Sequence, residues 1–319
     1  MRYRRLGIAG IKVSEVSLGS WRTFGKSVDQ ETTEACMVEA YENGVNYFDG
    51  AEIYALGAAE QAMGKVFRKQ KWARDTLVIS SKVNKIGDKP NQGGLSRKHL
   101  VEECDAALMR MGLDYLDLFF CHRPDPETPM EETVAAMDEL IKRGKILYWG
   151  TSNFSEGEIM ELFGIAEAGN YQPPTMEQPK YNMLHRDGVE KELARPVQKK
   201  GLGLTVFSPL QVGFLSGKYN NGIPEDSHFG RMDPERRKKF ISEEKLEKCR
   251  KLGDVARDLG MAQASLALAW CLKNKAVSTV LTGASKPEQV KQNVKASEDA
   301  DLLTEDVMGR IEQILSYSP

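Results

Sequence analysis

Short apolar runs alternate with longer stretches of helical periodicity along almost the whole chain. The short runs have the length and composition of buried strands, and the longer stretches repeat apolar residues every three or four positions. The predicted strands are Glu15–Leu18, Asn46–Asp49, Leu77–Lys82, Tyr115–Cys121, Ile146–Gly150, Thr175–Glu177, Leu204–Phe207 and Thr279–Leu281. The predicted intervening helices are Gln30–Asn43, Ala58–Lys69, Ser96–Met111, Met130–Arg143, Glu156–Ala168, Val189–Lys200 and Lys286–Ala296. This alternation predicts an α/β fold, a (β/α)8 TIM barrel, with an open doubly wound sheet as the alternative.

Other segments lie outside this simple repeat. Met1–Val13 contains the turn glycines Gly7 and Gly10 and predicts a small N-terminal β-hairpin that could plug the bottom of the barrel. Gln211–Lys239 predicts a long polar loop, and loops of that length in compact domains are usually functional or disordered. Extra C-terminal helices are predicted at Glu243–Leu259, Ala262–Lys273 and Glu305–Leu315. Because no linker or low-complexity tract divides the sequence, residues 1–319 are expected to form a single domain.

Composition and charge narrow the class of protein. Of the 319 residues, 41% are hydrophobic and 28% charged, which is typical of a soluble globular protein. A net charge of −2 gives no reason to expect a nucleic acid as partner, and no apolar stretch has the length needed for membrane insertion. Met1–Leu6 lacks the apolar segment of a secretory signal, so a cytoplasmic location is expected.

The cysteines and two of the histidines indicate no special chemistry. The five cysteines are Cys36, Cys104, Cys121, Cys249 and Cys271. Their odd number and the absence of C-x-x-C spacing predict buried thiols rather than a disulfide framework or a metal site, and no metal is expected. His99 and His185 lie among helix-forming polar residues and are expected at the surface.

Three predicted strands end on, or just before, a residue capable of acid–base chemistry. Asp49 ends the second strand, with Tyr54 one short loop later, Lys82 ends the third, and His122 follows the fourth. A parallel barrel brings all its strand ends to one face, where the active sites of such barrels lie. We therefore expect these four side chains to lie close together.

Together, these four side chains are suited to protonating a carbonyl oxygen. A tyrosine phenol, with an ordinary pKa of about 10, is a sluggish donor near neutral pH, and a cation such as Lys82 beside it would lower that pKa. Asp49 would compensate the charge of a desolvated Lys82, and His122 would hold or polarise the oxygen. Each residue alone has an ordinary interpretation as a cap, loop aromatic, salt bridge or packing residue. Their joint occurrence favours a catalytic site.

The second half of the chain carries candidate groups for a cofactor. No G-x-G-x-x-G sequence supports a Rossmann-type site. Instead, Gly283–Lys286 links the eighth strand to a helix, and backbone N–H groups at a helix N-terminus favour phosphate. Phe207 could stack on a flat ring, and Lys218 in the long loop could close over a pyrophosphate. Ser152, Asn153 and Gln178 are suited to a carboxamide. Helix capping, core packing and solvated charge are the alternatives for Ser285–Lys286, Phe207 and Lys218.

The ordered motifs resemble the aldo-keto reductase superfamily, and within it the branch that contains the β subunits of voltage-gated potassium channels. The matching segments are Asp49–Tyr54, Ser81–Lys82, His122–Asp125, Trp149–Asn153, Phe207–Leu210, Leu215–Tyr219, Gly283–Ser285, Gln289 and Asn293. The resemblance covers essentially the whole chain. It implies a (β/α) barrel that reduces small-molecule carbonyl substrates with NADPH, which becomes NADP+.

The resemblance also implies a role for each site residue. Tyr54 would be the proton donor, assisted by Lys82 and Asp49, and His122 would orient the carbonyl. The implied cofactor residues are Ser20, Trp21, Asp49, Ser152, Asn153, Gln178, Phe207, Ser208, Pro209, Leu210, Gly213, Ser216, Lys218, Gly283, Ser285, Lys286, Gln289, Gln292 and Asn293. Among these, Ser285 and Lys286 would meet the 2′-phosphate.

Three hypotheses remain open at this point. The leading one is an NADPH-dependent reductase of aldehydes and ketones. His122 favours it, because channel subunits resembling this chain carry Asn there whereas ordinary reductases carry His. The second is an NADP(H)-binding regulatory β subunit with little turnover and a channel α subunit as partner. The third is a lyase that uses Lys82 as a Schiff-base nucleophile. The resemblance also allows a homotetramer.

Overall fold

A closed barrel of parallel strands forms the centre of the molecule, as predicted. The computed structural model describes residues 1–238 and 240–316, so Lys239, the last residue of the predicted long loop, and residues 317–319 lie outside the described residues. The barrel strands are β3 (Val16–Gly19), β4 (Tyr47–Asp49), β5 (Val78–Val83), β6 (Leu116–Cys121), β7 (Ile146–Thr151), β8 (Met176–Glu177), β9 (Gly203–Val206) and β10 (Val277–Thr282). Each pairs in parallel with its neighbour, and β10 closes the barrel against β3.

Helices surround the barrel and follow most of the predicted periodicities. They are α1 (Gln30–Glu42), α2 (Ala58–Gln70), α3 (Arg97–Met111), α4 (Met130–Lys142), α5 (Glu156–Gly169), α6 (Ala194–Lys200), α7 (Pro234–Lys238), α8 (Glu243–Asp258), α9 (Gln263–Lys273), α10 (Pro287–Val294), α11 (Ala296–Asp299) and α12 (Glu305–Leu315). Several begin at side-chain caps. The Ser155 hydroxyl accepts from the Glu158 backbone N–H, and the Glu158 carboxylate accepts from that of Ser155.

The alternation of side chains along each strand separates the barrel interior from the helix-facing core. On β5, Val78 belongs to an interior cluster, and the period of two directs Ser80 and Lys82 to the same side. Ile79 and Val83 belong to the larger core between strands and helices. Because polar Ser80 and Lys82 occupy the interior side near the strand's C-terminal end, this end of the barrel is polar.

The N-terminal hairpin closes the opposite end. Strands β1 (Tyr3–Arg5) and β2 (Lys12–Ser14) pair antiparallel, as predicted. Leu6 and Val13 are fully buried in the interior cluster. The hairpin approaches the start of β9 so closely that a Cβ on Gly203 would lie 2.6 Å from the Gly7 nitrogen. A side chain at this glycine would therefore push the hairpin out of the barrel.

Two predicted helices and one loop differ from the structure. The predicted helix Val189–Lys200 is broken into a π-helical turn, Gly188–Glu192, followed by α6. The predicted helix Lys286–Ala296 ends at Val294 and is followed directly by α11. The long segment from Gln211 contains a 3₁₀ turn and α7, and is thus not a structureless loop.

The burial of the cysteines agrees with the sequence, whereas that of one histidine does not. All five cysteines are free and buried. His99 is only 3% exposed, because it lies on the inward face of α3, and the expectation of a surface position was wrong. His185 is exposed, as expected. Within the described part of the chain, every helix is too short or too polar to cross a bilayer.

Candidate active site

An ion pair lies at the C-terminal end of the barrel, between the ends of two neighbouring strands. Asp49, the last residue of β4, is in register with Ser80 of β5. Lys82 lies two residues further along and shares the interior side. Its Nζ donates hydrogen bonds to Asp49 Oδ2 at 2.5 Å and to the Gly50 carbonyl at 2.7 Å. Burial lowers the pKa of Lys82, and the carboxylate of Asp49 opposes that shift.

Three further donors hold the second oxygen of Asp49. Asp49 Oδ1 accepts from Ser80 Oγ at 2.7 Å, from Tyr47 OH at 3.2 Å and from Gln178 Nε2 at 3.2 Å. The sequence reasoning missed Tyr47 and Ser80. The period of two places Tyr47 on the same side of β4 as Asp49. The pairing of β4 with β5 makes Ser80 the register partner of Asp49. These were the signals that could have found the two residues. The carboxylate is thus saturated with donors and fixed in orientation.

The phenol of Tyr54 lies beside this pair, in the loop between β4 and α2. Lys82 Nζ lies 5.0 Å from the centroid of the Tyr54 ring. Burial, followed by the charge of Asp49, raises the pKa of Tyr54 well above its ordinary value, although Arg123 acts in the opposite direction. The expectation that this pKa would be lowered is not met, because burial and the charge of Asp49 outweigh any lowering by nearby cations. The phenol keeps its proton at neutral pH.

The imidazole of His122 forms the adjacent wall. It directly follows β6, and its backbone N–H donates to the Val83 carbonyl at 2.9 Å. Its ring lies edge-on to that of Tyr54, with the centroids 5.7 Å apart and the planes at 80°. Burial, with the positive charges of Lys82 and Arg123, lowers the pKa of His122 to about 3. The imidazole is therefore neutral at ordinary pH and can donate one N–H.

A chain of polar contacts follows at the ends of β7 and β8. Asn153 Nδ2 donates to Ser152 Oγ at 2.7 Å, and Ser152 Oγ donates to the Gln178 carbonyl at 2.8 Å. Asn153 has a φ of +60°, and buried Glu177 holds it by accepting its backbone N–H at 2.5 Å. Glu177 also accepts from Thr151 Oγ1, and burial raises its pKa to about 8. The sequence reasoning missed Glu177, whose polar side chain at a strand end was the available signal.

A cleft of about 1280 Å³ opens above these residues. Of the four predicted catalytic residues, Asp49, Tyr54 and His122 line it, whereas Lys82 lies buried behind Asp49. The predicted cofactor residues that line it are Trp21, Asp49, Ser152, Asn153, Gln178, Phe207, Ser208, Pro209, Leu210, Gly213, Ser216, Lys218, Gly283, Ser285, Gln289, Gln292 and Asn293. Residues from distant parts of the sequence thus share one surface.

Two of the predicted cofactor residues lie beside the cleft rather than in its lining. Ser20 is buried, and its Oγ donates to the Asp49 carbonyl at 2.9 Å. Lys286 is exposed at the N-terminal cap of α10. Its neighbour Ser285 lines the cleft, and both the backbone N–H and the Oγ of Ser285 donate to Gln289 Oε1, at 2.8 and 3.2 Å. The side chain of Gln289 thus covers the start of this helix.

The rim contains cations that the sequence reasoning did not select. Arg22, in the loop after β3, approaches His228, in the segment after β9, with 2.9 Å between Nη1 and Nδ1. Burial and the charge of Arg22 lower the pKa of His228. Arg231 lines the same part of the cleft. Sequence patterns offer no signal for this pair, since it depends on how two loops fold toward each other.

A second group of ionisable side chains lies away from the cleft. Glu52, His99 and Glu103 are buried with their ligand atoms within 4.8 Å of one another, a clustering of metal-ligand residue types that the sequence reasoning did not foresee. His99 Nδ1 lies 2.9 Å from the Gly94 carbonyl, and Nε2 lies 3.6 Å from Glu52 Oε2. Burial raises the pKa of Glu52 to about 8. Among the described residues, neither Glu52 Oε2 nor His99 Nε2 has a hydrogen-bond partner.

Comparison with known proteins agrees with this geometry. Residues 15–316 match the model of the "Aldo/keto reductase family". The chain is 43% identical to a "Probable voltage-gated potassium channel subunit beta" from Arabidopsis thaliana, covering 100% of this chain and 98% of the relative. It is 45% identical to a "Putative voltage-gated potassium channel subunit beta" from Schizosaccharomyces pombe, covering 99% and 94% respectively. A similar rice protein is 42% identical over 100% of this chain.

Proposed function

Because this chain belongs to the aldo/keto reductase family, we propose that it reduces aldehydes or ketones to alcohols with NADPH as the hydride donor. Family membership supports an oxidoreductase role in general. The finer proposal rests chiefly on one observation: Tyr54, His122 and the Lys82–Asp49 pair meet at the same end of the barrel, at the floor of the large cleft. We also propose that residues 1–319 act as a single domain.

The shape and chemistry of the cleft fit a dinucleotide. Its floor carries the hydroxyl and amide groups of Ser152 and Asn153, suited to a carboxamide, with the aromatic ring of Phe207 also in the lining. Lys218 and Arg22 supply positive charge for a pyrophosphate. Ser285 lies beside exposed Lys286 before α10, where backbone N–H groups and positive charge favour a phosphate. NADPH bound there would supply the hydride.

The protein's own part in the reaction is to hold and deliver a proton. The phenol of Tyr54, kept protonated by burial and by the charge of Asp49, donates its proton to the carbonyl oxygen as negative charge develops there. Neutral His122 donates a hydrogen bond to the same oxygen and orients it. Lys82, fixed by Asp49 near the phenol ring, stabilises the phenolate that remains.

The simplest test follows NADPH consumption with an uncharged model aldehyde, after a fluorescence titration has measured NADPH binding. The proposal predicts saturable binding and aldehyde-dependent oxidation of NADPH to NADP+. Binding without turnover over a broad panel of aldehydes would contradict it. Trapping with borohydride tests the lyase alternative, which the complete burial of Lys82 and its pairing with Asp49 already disfavour, since a Schiff-base lysine must reach its substrate.

A regulatory role is the second candidate function. The relatives from Arabidopsis thaliana and Schizosaccharomyces pombe are both described as voltage-gated potassium channel β subunits. We propose a channel α subunit as a candidate partner on that ground. Tight retention of NADP(H) with negligible turnover, together with co-purification of a channel, would favour this function over the reductase. The neutral imidazole of His122 favours turnover, because it offers an N–H to the carbonyl oxygen.

A further inference from the structure

The guanidinium of Arg123 lies next to the proposed carbonyl site. Arg123 directly follows His122, and its Nη1 donates to the His122 carbonyl at 3.1 Å, so the guanidinium stays close to the backbone of the site. Arg123 lines the cleft together with Tyr54 and His122. Its charge contributes to the low pKa of His122, and it opposes the effect of burial that raises the pKa of Tyr54 and of Glu177. The positive charge is therefore near the place where a carbonyl substrate would bind.

The neighbouring carboxylates are already engaged elsewhere. Asp125, two residues further on, accepts hydrogen bonds from Thr128 Oγ1 at 2.6 Å and from the Leu95 backbone at 2.7 Å. Glu177 accepts from Thr151 and from the backbone of Asn153. Among the residues that the structure describes, Arg123 forms no ion pair, in contrast to Lys82, which Asp49 compensates. Its guanidinium is thus free to bind an anion that enters the cleft.

The wall of the same cleft also offers apolar surface. Trp21 is 43% exposed and Ile53 is 40% exposed, and both line the cleft. Large apolar side chains in a cleft favour a hydrocarbon or aromatic ligand body. A planar guanidinium favours a carboxylate, which it can bind through two parallel hydrogen bonds. A substrate that satisfies both features has an aldehyde, an apolar body and a carboxylate.

We propose that Arg123 forms an anion subsite and that the preferred substrates are aldehydes bearing a carboxylate on an apolar body. This inference rests on the proposed reductase function and adds the substrate class. The aldehyde end meets Tyr54 and His122, while the carboxylate turns toward the guanidinium. Arg123 acts on substrate binding and specificity rather than on proton transfer.

The test compares two aldehydes that differ in charge. The probes are para-carboxybenzaldehyde and its methyl ester, and the quantity is the ratio of their kcat/KM values with NADPH. The wild-type protein is expected to favour the carboxylate, and Arg123→Gln to lower the ratio about tenfold, mainly through the KM of the carboxylate. If the substitution also disturbs Tyr54, kcat/KM changes by the same factor for both aldehydes, and that change cancels in the ratio. Added salt should reduce the wild-type preference.

Two matched variants separate a specific contact from a change in net charge. Arg123→Lys keeps the charge but loses the planar fork, and should retain part of the preference. Lys26→Gln removes a different cation of the cleft wall and should leave the ratio as in the wild type. An unchanged ratio in Arg123→Gln, with both aldehydes still reduced, would overturn the anion subsite alone. Reduction of neither aldehyde by the wild-type protein would overturn the proposed function and this inference with it.

Discussion

Lys82 Nζ lies 2.5 Å from Asp49 Oδ2, and the two side chains are at most 4% exposed. Removing one partner of such a buried pair leaves an uncompensated charge in the protein interior, which costs about 3–5 kcal/mol. The three other donors to Asp49 reduce that cost but do not replace a cation. The pair therefore links stability to activity through the same two residues.

Lys82→Met should lower both stability and turnover. We expect a loss of about 3 kcal/mol in the free energy of unfolding, measured with urea, because the carboxylate of Asp49 is left buried without its cation. Adding Asp49→Asn to this variant should restore part of the stability without restoring turnover. A stability loss in the double variant equal to the sum of the losses in the two single variants would contradict the coupling.

The pH dependence of turnover should contain no titration of His122 near its ordinary pKa. Burial and the adjacent cations lower that pKa to about 3, so the folded protein keeps the ring neutral both above and below pH 6.5. The unfolded chain takes up a proton near pH 6.5, so the free energy of unfolding falls as pH falls from about 6.5 toward about 3. We expect kcat/KM in the wild type to be flat from about pH 5 to about pH 8. An inflection near pH 6.5 that His122→Asn abolishes would contradict this.

Stability should fall as pH rises through the raised pKa of Glu52. The folded protein holds a proton on Glu52 up to about pH 8, whereas the unfolded chain releases it near the ordinary value of 4.5. The stabilising contribution is thus complete below about pH 4.5 and is lost as pH rises through about 8. Glu52→Gln, which mimics the protonated side chain, should reduce the slope of the unfolding free energy between these values.

Two comparisons complete that experiment. Glu225→Gln removes an exposed carboxylate in a loop and should leave the slope unchanged. Glu177 also has a pKa of about 8 and should account for part of the slope that remains in Glu52→Gln. If Glu52→Gln and the wild type lose stability at the same rate with pH, that result would contradict the raised pKa of Glu52.

The choice between NADPH and NADH should depend on Lys286. Lys286 is the exposed residue at the N-cap position of α10, directly after Ser285, where a 2′-phosphate would gain from a point charge. We expect Lys286→Ala to weaken NADPH about tenfold and NADH hardly at all, measured by fluorescence titration. Lys291→Ala, an exposed lysine on the same helix, is the matched control. Equal losses for both cofactors in Lys286→Ala would argue against a phosphate contact.

The period of the apolar residues made the barrel predictable, and the strand ends made part of the site predictable. Asp49, Lys82 and His122 each end or follow a strand, and a closed parallel barrel leaves such residues on one face. The breaks in the predicted helices at Leu193 and Lys295 were not predictable from periodicity, because the apolar spacing continues through them.

The parts of the site that sequence reasoning missed depend on loops and on burial. The Arg22–His228 contact joins two loops, and no local pattern determines the relative position of two loops. The direction of the pKa shift of Tyr54 depends on the balance of burial, Asp49 and Arg123, which only the folded geometry determines. Arg123 was visible in the sequence, but the sequence could not show that it forms no ion pair with any carboxylate in the described ranges 1–238 and 240–316.

The most direct test of the central claim is the single-turnover rate of Tyr54→Phe with bound NADPH and an uncharged aldehyde. This substitution removes only the phenolic oxygen and keeps the ring against His122. If the phenol donates the proton, the rate should fall by about 100- to 10,000-fold while the Kd for NADPH stays within about twofold of the wild type. A rate close to that of the wild type, with the cofactor bound normally, would contradict the account.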